Sequence, residues 1–200
     1  EDSGRDTLVF GLNRAKEDWP DASVSRDGRY LLVSVSQGWS KTELYVRNLQ
    51  VEDSAFIPIT AGEEAVYDGQ IQGDILYVRT NEWAPRYKLM AVDLKKPLEK
   101  WREVIPEGPF ILTGFDLAGS VLAVSVLERA ASRLRLHALA TGKVLKEIPL
   151  PPLGTVNSFD GQPKSKNLSI LYESFFVPPT LYNYDIARSS LTVLEKISAP

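Results

Sequence analysis

The sequence predicts an all-β fold, a β-propeller built from four consecutive four-stranded antiparallel blades, and three observations carry that prediction. A turn residue followed by an aliphatic run recurs at Gly28, Gly73, Gly119 and Asn167, at spacings of 45, 46 and 48 residues. The aliphatic residue that closes the following run recurs independently, at Leu49, Leu94, Leu139 and Ile186, at spacings of 45, 45 and 47. Each unit holds four short runs rich in Val, Ile, Leu, Tyr and Phe, bounded by Gly, Pro, Asp and Asn, with no long stretch of helical periodicity. Four strands per unit of this length are the signature of a propeller blade.

The first unit, about 22–60, reads ASVS, GRYLLVSVS, TELYVRNL and FIPIT. The second, about 65–106, reads VYDGQI, GDILYVRT, YKLMAVDL and WREVIP, and the third, about 109–149, reads FILTGFD, GSVLAVSV, RLRLHAL and VLKEIPL. The fourth, about 155–197, reads TVNSFD, NLSILYES, TLYNYDI and LTVLEK. Alternate positions, such as Leu44, Val46 and Asn48 against Tyr45, Arg47 and Leu49, differ in character without either set being wholly polar, so the strands are expected to pack on both faces. The leftover run at 6–12, DTLVFGL, has the apolar character of an outer strand from a preceding blade. Pro151 and Pro152 fall where two units join, and a missing amide donor costs nothing there. No Gly/Ser-rich linker interrupts the units, so one domain is expected over 1–200.

Composition narrows the chemistry. The 200 residues include no cysteine, which excludes disulfides, thiol nucleophiles and cysteine-ligated metals, and this favours the reducing cytoplasm as location. The 23 basic and 26 acidic residues are interspersed at a net charge of −3, so neither nucleic acid nor an anionic membrane is expected as a partner. No run approaches the ~20 apolar residues of a membrane span, and the first residues, EDSGRD, are polar rather than leader-like.

Four longer stretches carry a resemblance: SRDGRYLLVSVSQG, TNEWAPRYKLMAVDL followed by WREVIPE, LHALATGKVLKEIPLP, and YESFFVPPTLYNYDI. In that order and at those spacings they resemble the propeller of the prolyl oligopeptidase family, serine peptidases that cleave short peptides after proline. The resemblance implies four of the seven blades that cap an α/β-hydrolase domain bearing the Ser, Asp and His triad. No Gly-x-Ser-x-Gly elbow occurs in this sequence, so no catalytic residue is assigned. Its implied partners are that catalytic domain and short proline-containing peptides.

The single histidine, His137, lies inside an aliphatic run and is expected to be structural, because the family's catalytic His belongs to the hydrolase domain. No cofactor and no metal site is expected, one His and scattered carboxylates being too few ligands. Asp27-Gly28, Asp68-Gly69 and Asp160-Gly161 read as turns. Trp19, Trp83 and Trp101 read as blade packing, with Trp83 the most exposed of them. By the resemblance, Ser36, Gln37 and Trp39 lie in a loop that projects toward the active-site cavity, although the family pattern carries Arg at the position of Ser36 and a small residue at that of Trp39. Trp39 is then either an apolar wall for bound peptide or a cover over a blade edge. The blade repeat by itself also fits a stand-alone propeller scaffold that binds protein or peptide. Four blades of seven leave apolar faces open at both ends, and self-association of the arc is the expected result.

Overall fold

The protein is described as a computed structural model covering residues 7–162 and 165–197. Among the described residues, sixteen strands form four antiparallel sheets, each in simple chain order. The first sheet holds β1 (Trp19–Val24), β2 (Tyr30–Gln37), β3 (Lys41–Asn48) and β4 (Ile57–Pro58), and the second holds β5 (Tyr67–Gln72), β6 (Ile75–Thr80), β7 (Lys88–Asp93) and β8 (Arg102–Ile105). The third holds β9 (Ile111–Ala118), β10 (Val121–Glu128), β11 (Ala131–Ala138) and β12 (Val144–Glu147). The fourth holds β13 (Gly154–Gly161), β14 (Asn167–Ser174), β15 (Thr180–Asp185) and β16 (Ser190–Lys196). The all-β, four-bladed architecture read from the repeat is the architecture observed.

The repeat landmarks have a conformational cause. Gly28, Gly73 and Gly119 sit in the turns between first and second strands with φ of 74°, 62° and 64°, a region costly for side-chain-bearing residues.

The sheets pack face to face in sequence. Tyr30, Leu32, Leu44 and Val46 of the first sheet meet Leu76, Val78 and Val92 of the second. Their neighbours Tyr77, Leu89 and Ala91 point the other way, against Leu112, Phe115, Leu122 and Val124 of the third sheet. Leu134 and Leu136 of the third sheet then meet Leu168, Ile170, Tyr172 and Tyr184 of the fourth. Period-two alternation with both faces apolar is what a sheet buried on both sides requires. Three such cores join the four sheets, and β1 is exposed along all six of its residues, so the described residues form an open arc.

Three local expectations are corrected. Residues 7–12 of the expected outer strand are irregular (Asp6 lies outside the described residues): Phe10 instead packs its ring 5.1 Å from Tyr45 and 5.0 Å from Phe56, on the flank of the first sheet. Asp68-Gly69 and Asp160-Gly161 lie in β5 and β13, not in turns. A Cβ on Gly69 would stand 3.3 Å from Leu44 Cδ1 and 3.4 Å from Leu32 Cδ2 of the first sheet, and one on Gly161 would overlap Ala118 of the third, so these glycines admit a neighbouring sheet rather than a positive φ. Trp19, expected in blade packing, is 77% exposed. Trp101 does pack, half-buried, against the first core.

Candidate functional site

Antiparallel sheets in chain order bring all four hairpins between second and third strands to one end of the arc. At that end, bonds tie the first sheet to the second, brace the second, and tie it to the third. Lys41 pairs with Glu64 at 3.0 Å, the Val66 amide donates to Asn81 Oδ1 at 2.8 Å, and the Leu112 amide donates to the Arg86 carbonyl at 2.9 Å.

Three of the four hairpins raise aromatic side chains from this face into solvent. Trp39 is fully exposed between β2 and β3, Trp83 is 93% exposed between β6 and β7, and Phe175 and Phe176 are 94% and 81% exposed between β14 and β15. The two Phe rings stand edge to face, with centroids 5.2 Å apart. Trp39 therefore covers no blade edge. Ser36 and Gln37 are the last residues of β2 rather than loop residues, and Ser36 is registered against Trp19 of β1. The fourth hairpin turns tightly on Arg129 and Ala130, both at positive φ, and carries no aromatic.

Gln37 is held by a network that the sequence did not announce. Its amide donates to Asp18 Oδ1 at 3.1 Å, and Asp18 also accepts from Arg14 Nε at 2.8 Å. Arg14 reaches Glu43 at 2.7 Å, where the Tyr45 hydroxyl donates to the same carboxylate oxygen at 2.7 Å. Burial alone would raise the Glu43 carboxyl, but the bonds from Tyr45 and Arg14 bring it below its ordinary range.

The first strands β1, β5, β9 and β13 line an axial channel. A cavity of about 250 Å³ there is bordered by Ser23, Arg26, Gln70, Gln72, Asp116 and Asp160 among others. Asp116, 5% exposed, accepts the Gly161 amide, and burial pushes its carboxyl above the ordinary range against the pull of that bond and of Arg26. Apart from Asp160, read from the sequence as half of a turn, none of these channel residues stands out in the sequence, because they gather from four units.

His137 occupies a structural position. The residue is 5% exposed, Nδ1 lies 2.8 Å from the Gly142 carbonyl, and Nε2 is buried with no partner among the described residues. Burial lowers its pKa, so the ring is neutral and Nδ1 is the donor. Among the described residues, no group of three or more His, Asp or Glu is placed to hold a metal ion.

The profile of the prolyl oligopeptidase N-terminal β-propeller domain matches residues 1–197. The chain belongs to that family. Prolyl endopeptidases of Elizabethkingia miricola and Elizabethkingia meningoseptica are each 28% identical to it over 194 residues, covering 96% of this chain and 27% of the relative. This prolyl oligopeptidase propeller thus spans about a quarter of the length of the curated relatives it matches. A solved prolyl endopeptidase superposes with a TM-score of 0.90 at 27% identity, over 98% of this chain and 29% of that one. Prolyl oligopeptidase B of Galerina marginata, solved with a 35mer hydrolysis and macrocyclization substrate, shares the fold at a TM-score of 0.86 and 23% identity, over 98% of this chain and 29% of that one.

Proposed function

We propose that the chain is a non-catalytic, substrate-gating propeller segment of a proline-specific serine oligopeptidase. The observation that carries this reading is the hairpin face: family membership supplies the context, and the unpacked aromatics of that face supply a surface with something to bind. A disc of blades over a hydrolase site admits flexible peptides and rejects folded proteins, which cannot present their chain inside a closed cavity. It also keeps bulk water from the charges that develop in acyl transfer. In this reading Trp39, with Ser36 and Gln37 at its base, lends the substrate cavity an apolar wall against which a proline ring packs.

The test pairs the chain with a separately produced hydrolase domain of a relative. The chain alone neither turns over a Gly-Pro reporter nor reacts with a fluorophosphonate probe. Together, the two cleave the reporter. Trp39→Ala then raises KM for the reporter about two- to tenfold with kcat unchanged, the range of ~0.5 to 1.5 kcal/mol for one aromatic contact. Turnover by the pure chain overturns the reading, and peptide retention with no response to the hydrolase domain points to a stand-alone scaffold.

A further inference from the structure

Between the second and third sheets lies a cavity of about 90 Å³ that shares no lining residue with the channel cavity. Its walls are chiefly aliphatic and aromatic, from Tyr87, Ile105, Phe110, Leu112, Val124 and Val126. The exposed Pro106 and Pro109 border it from the loop that joins β8 to β9. Glu107 of that loop accepts the Arg86 amide at 2.8 Å, which anchors the rim to the hairpin between β6 and β7.

The His137 ring of β11 also borders this apolar space. With Nδ1–H given to the Gly142 carbonyl, Nε2 carries a bare lone pair. It is closed to bulk water. Among the described residues, it is the only buried side-chain nitrogen or oxygen on these walls without a partner. Arg135, the cation on the same wall, directs Nε to Glu147 at 3.0 Å and lies 3.6 Å from Glu128 through a second nitrogen. A buried acceptor left unfilled is costly, and a donor inside the cavity would remove that cost.

Water suits the position poorly, since a buried water needs roughly two to four polar partners and these side chains leave one open. A molecule with one donor and an apolar remainder matches the walls better. Size bounds it further. An apolar cavity of about 150 Å³ takes benzene, so a space of about 90 Å³ takes about three or four heavy atoms.

We propose that this cavity is a binding site for a short-chain aliphatic alcohol, whose hydroxyl donates to His137 Nε2 while its carbons lie against Leu112, Val124 and Val126. The site lies between two sheets and does not depend on the gating role proposed above.

His137 is the only histidine of the chain, so its imidazole nitrogens are assigned in an NMR spectrum by inspection. The test titrates the purified chain, labelled with 15N-histidine, with 2-propanol and separately with acetone. The two share a heavy-atom skeleton, but only the alcohol donates a hydrogen bond. At about pH 8 the ring is neutral, well above the ordinary histidine value of about 6.5. The expected result is a saturable upfield shift of Nε2 with 2-propanol and none with acetone. Read at the methyls of Val124 and Val126, the alcohol binds about two- to tenfold tighter than the ketone, the share of one hydrogen bond. His137→Leu abolishes that preference. A linear drift of Nε2, or equal binding of the two probes, overturns the proposal. A long-lived water at the ring that 2-propanol does not displace also overturns it and leaves a buried water only. Should His137→Leu fail to fold, the two probes on the unaltered chain decide alone.

Discussion

His137 shows how a lone titratable residue becomes a stability sensor without being catalytic. Its Nδ1–H holds the Gly142 carbonyl, and Gly142, at φ 70°, belongs to a turn so close to Val104 of β8 that any Cβ there would overlap the Val104 carbonyl. Protonation would place a second N–H on Nε2, which has no acceptor, beside Arg135. The folded pKa is therefore below the unfolded value of about 6.5. Since the unfolded state binds the proton more readily, the contribution of His137 is complete above that value and is lost as pH falls below it. Urea midpoints measured from pH 8 to pH 5 should decline on the acid side, and the imidazole NMR resonances of the native state should titrate below 6.5. Equal native and unfolded titration points would refute this. The structural role of His137 was legible from its place in an aliphatic run. The orphaned Nε2 was not, because it depends on what the adjoining sheet fails to offer.

At the scale of the strand, alternation does most of the work. In β6, Leu76 and Val78 serve the first core while Tyr77 between them serves the second. Truncating Leu76, fully buried, to Ala should cost about 2 to 5 kcal/mol, whereas the same change at Leu98, 85% exposed, should fall within about 0.5 kcal/mol. Chemical denaturation of the two variants checks the contrast, and equal losses would contradict the two-faced packing. The period and the strand order were readable because turn chemistry and alternation are local. The Asp-Gly pairs misled for the same reason: at 27–28 the pair makes a turn, but at 68–69 and 160–161 the missing side chain makes room for another sheet, which local sequence does not report. The run at 7–12 shows the limit from the other side, since an apolar segment with no strand partner in the chain covers aromatic rings instead.

For the molecule as a whole, the accessible area of 12256 Å² decides how the arc behaves. A compact monomer of 22.3 kDa exposes roughly 9,400 Å², so about 2,800 Å² remains that a closed shape would hide. A standard interface buries about 800 Å² on each partner, so the excess exceeds one such patch at each end. The purified chain should therefore associate with itself, its light-scattering mass rising with concentration. A constant 22.3 kDa mass without binding of a hydrophobic dye would refute that. The hairpin face was partly legible, since Trp83 and the Phe175-Phe176 pair lie in stretches that carry the family resemblance and Trp39 directly follows another; the channel cluster was invisible as a cluster, since Arg26 and Asp160 meet only after three sheets have turned the chain around an axis. The arrangement of three cores for four sheets has one more effect. Each sheet leans only on its neighbours, so stability is distributed as along a row of dominoes: the inner two are held from both sides and the outer two from one. Amide exchange should then run fastest in β1 and β16 and slowest in β6 and β10, and loss of structure should travel inward from the ends rather than strike the whole chain at once.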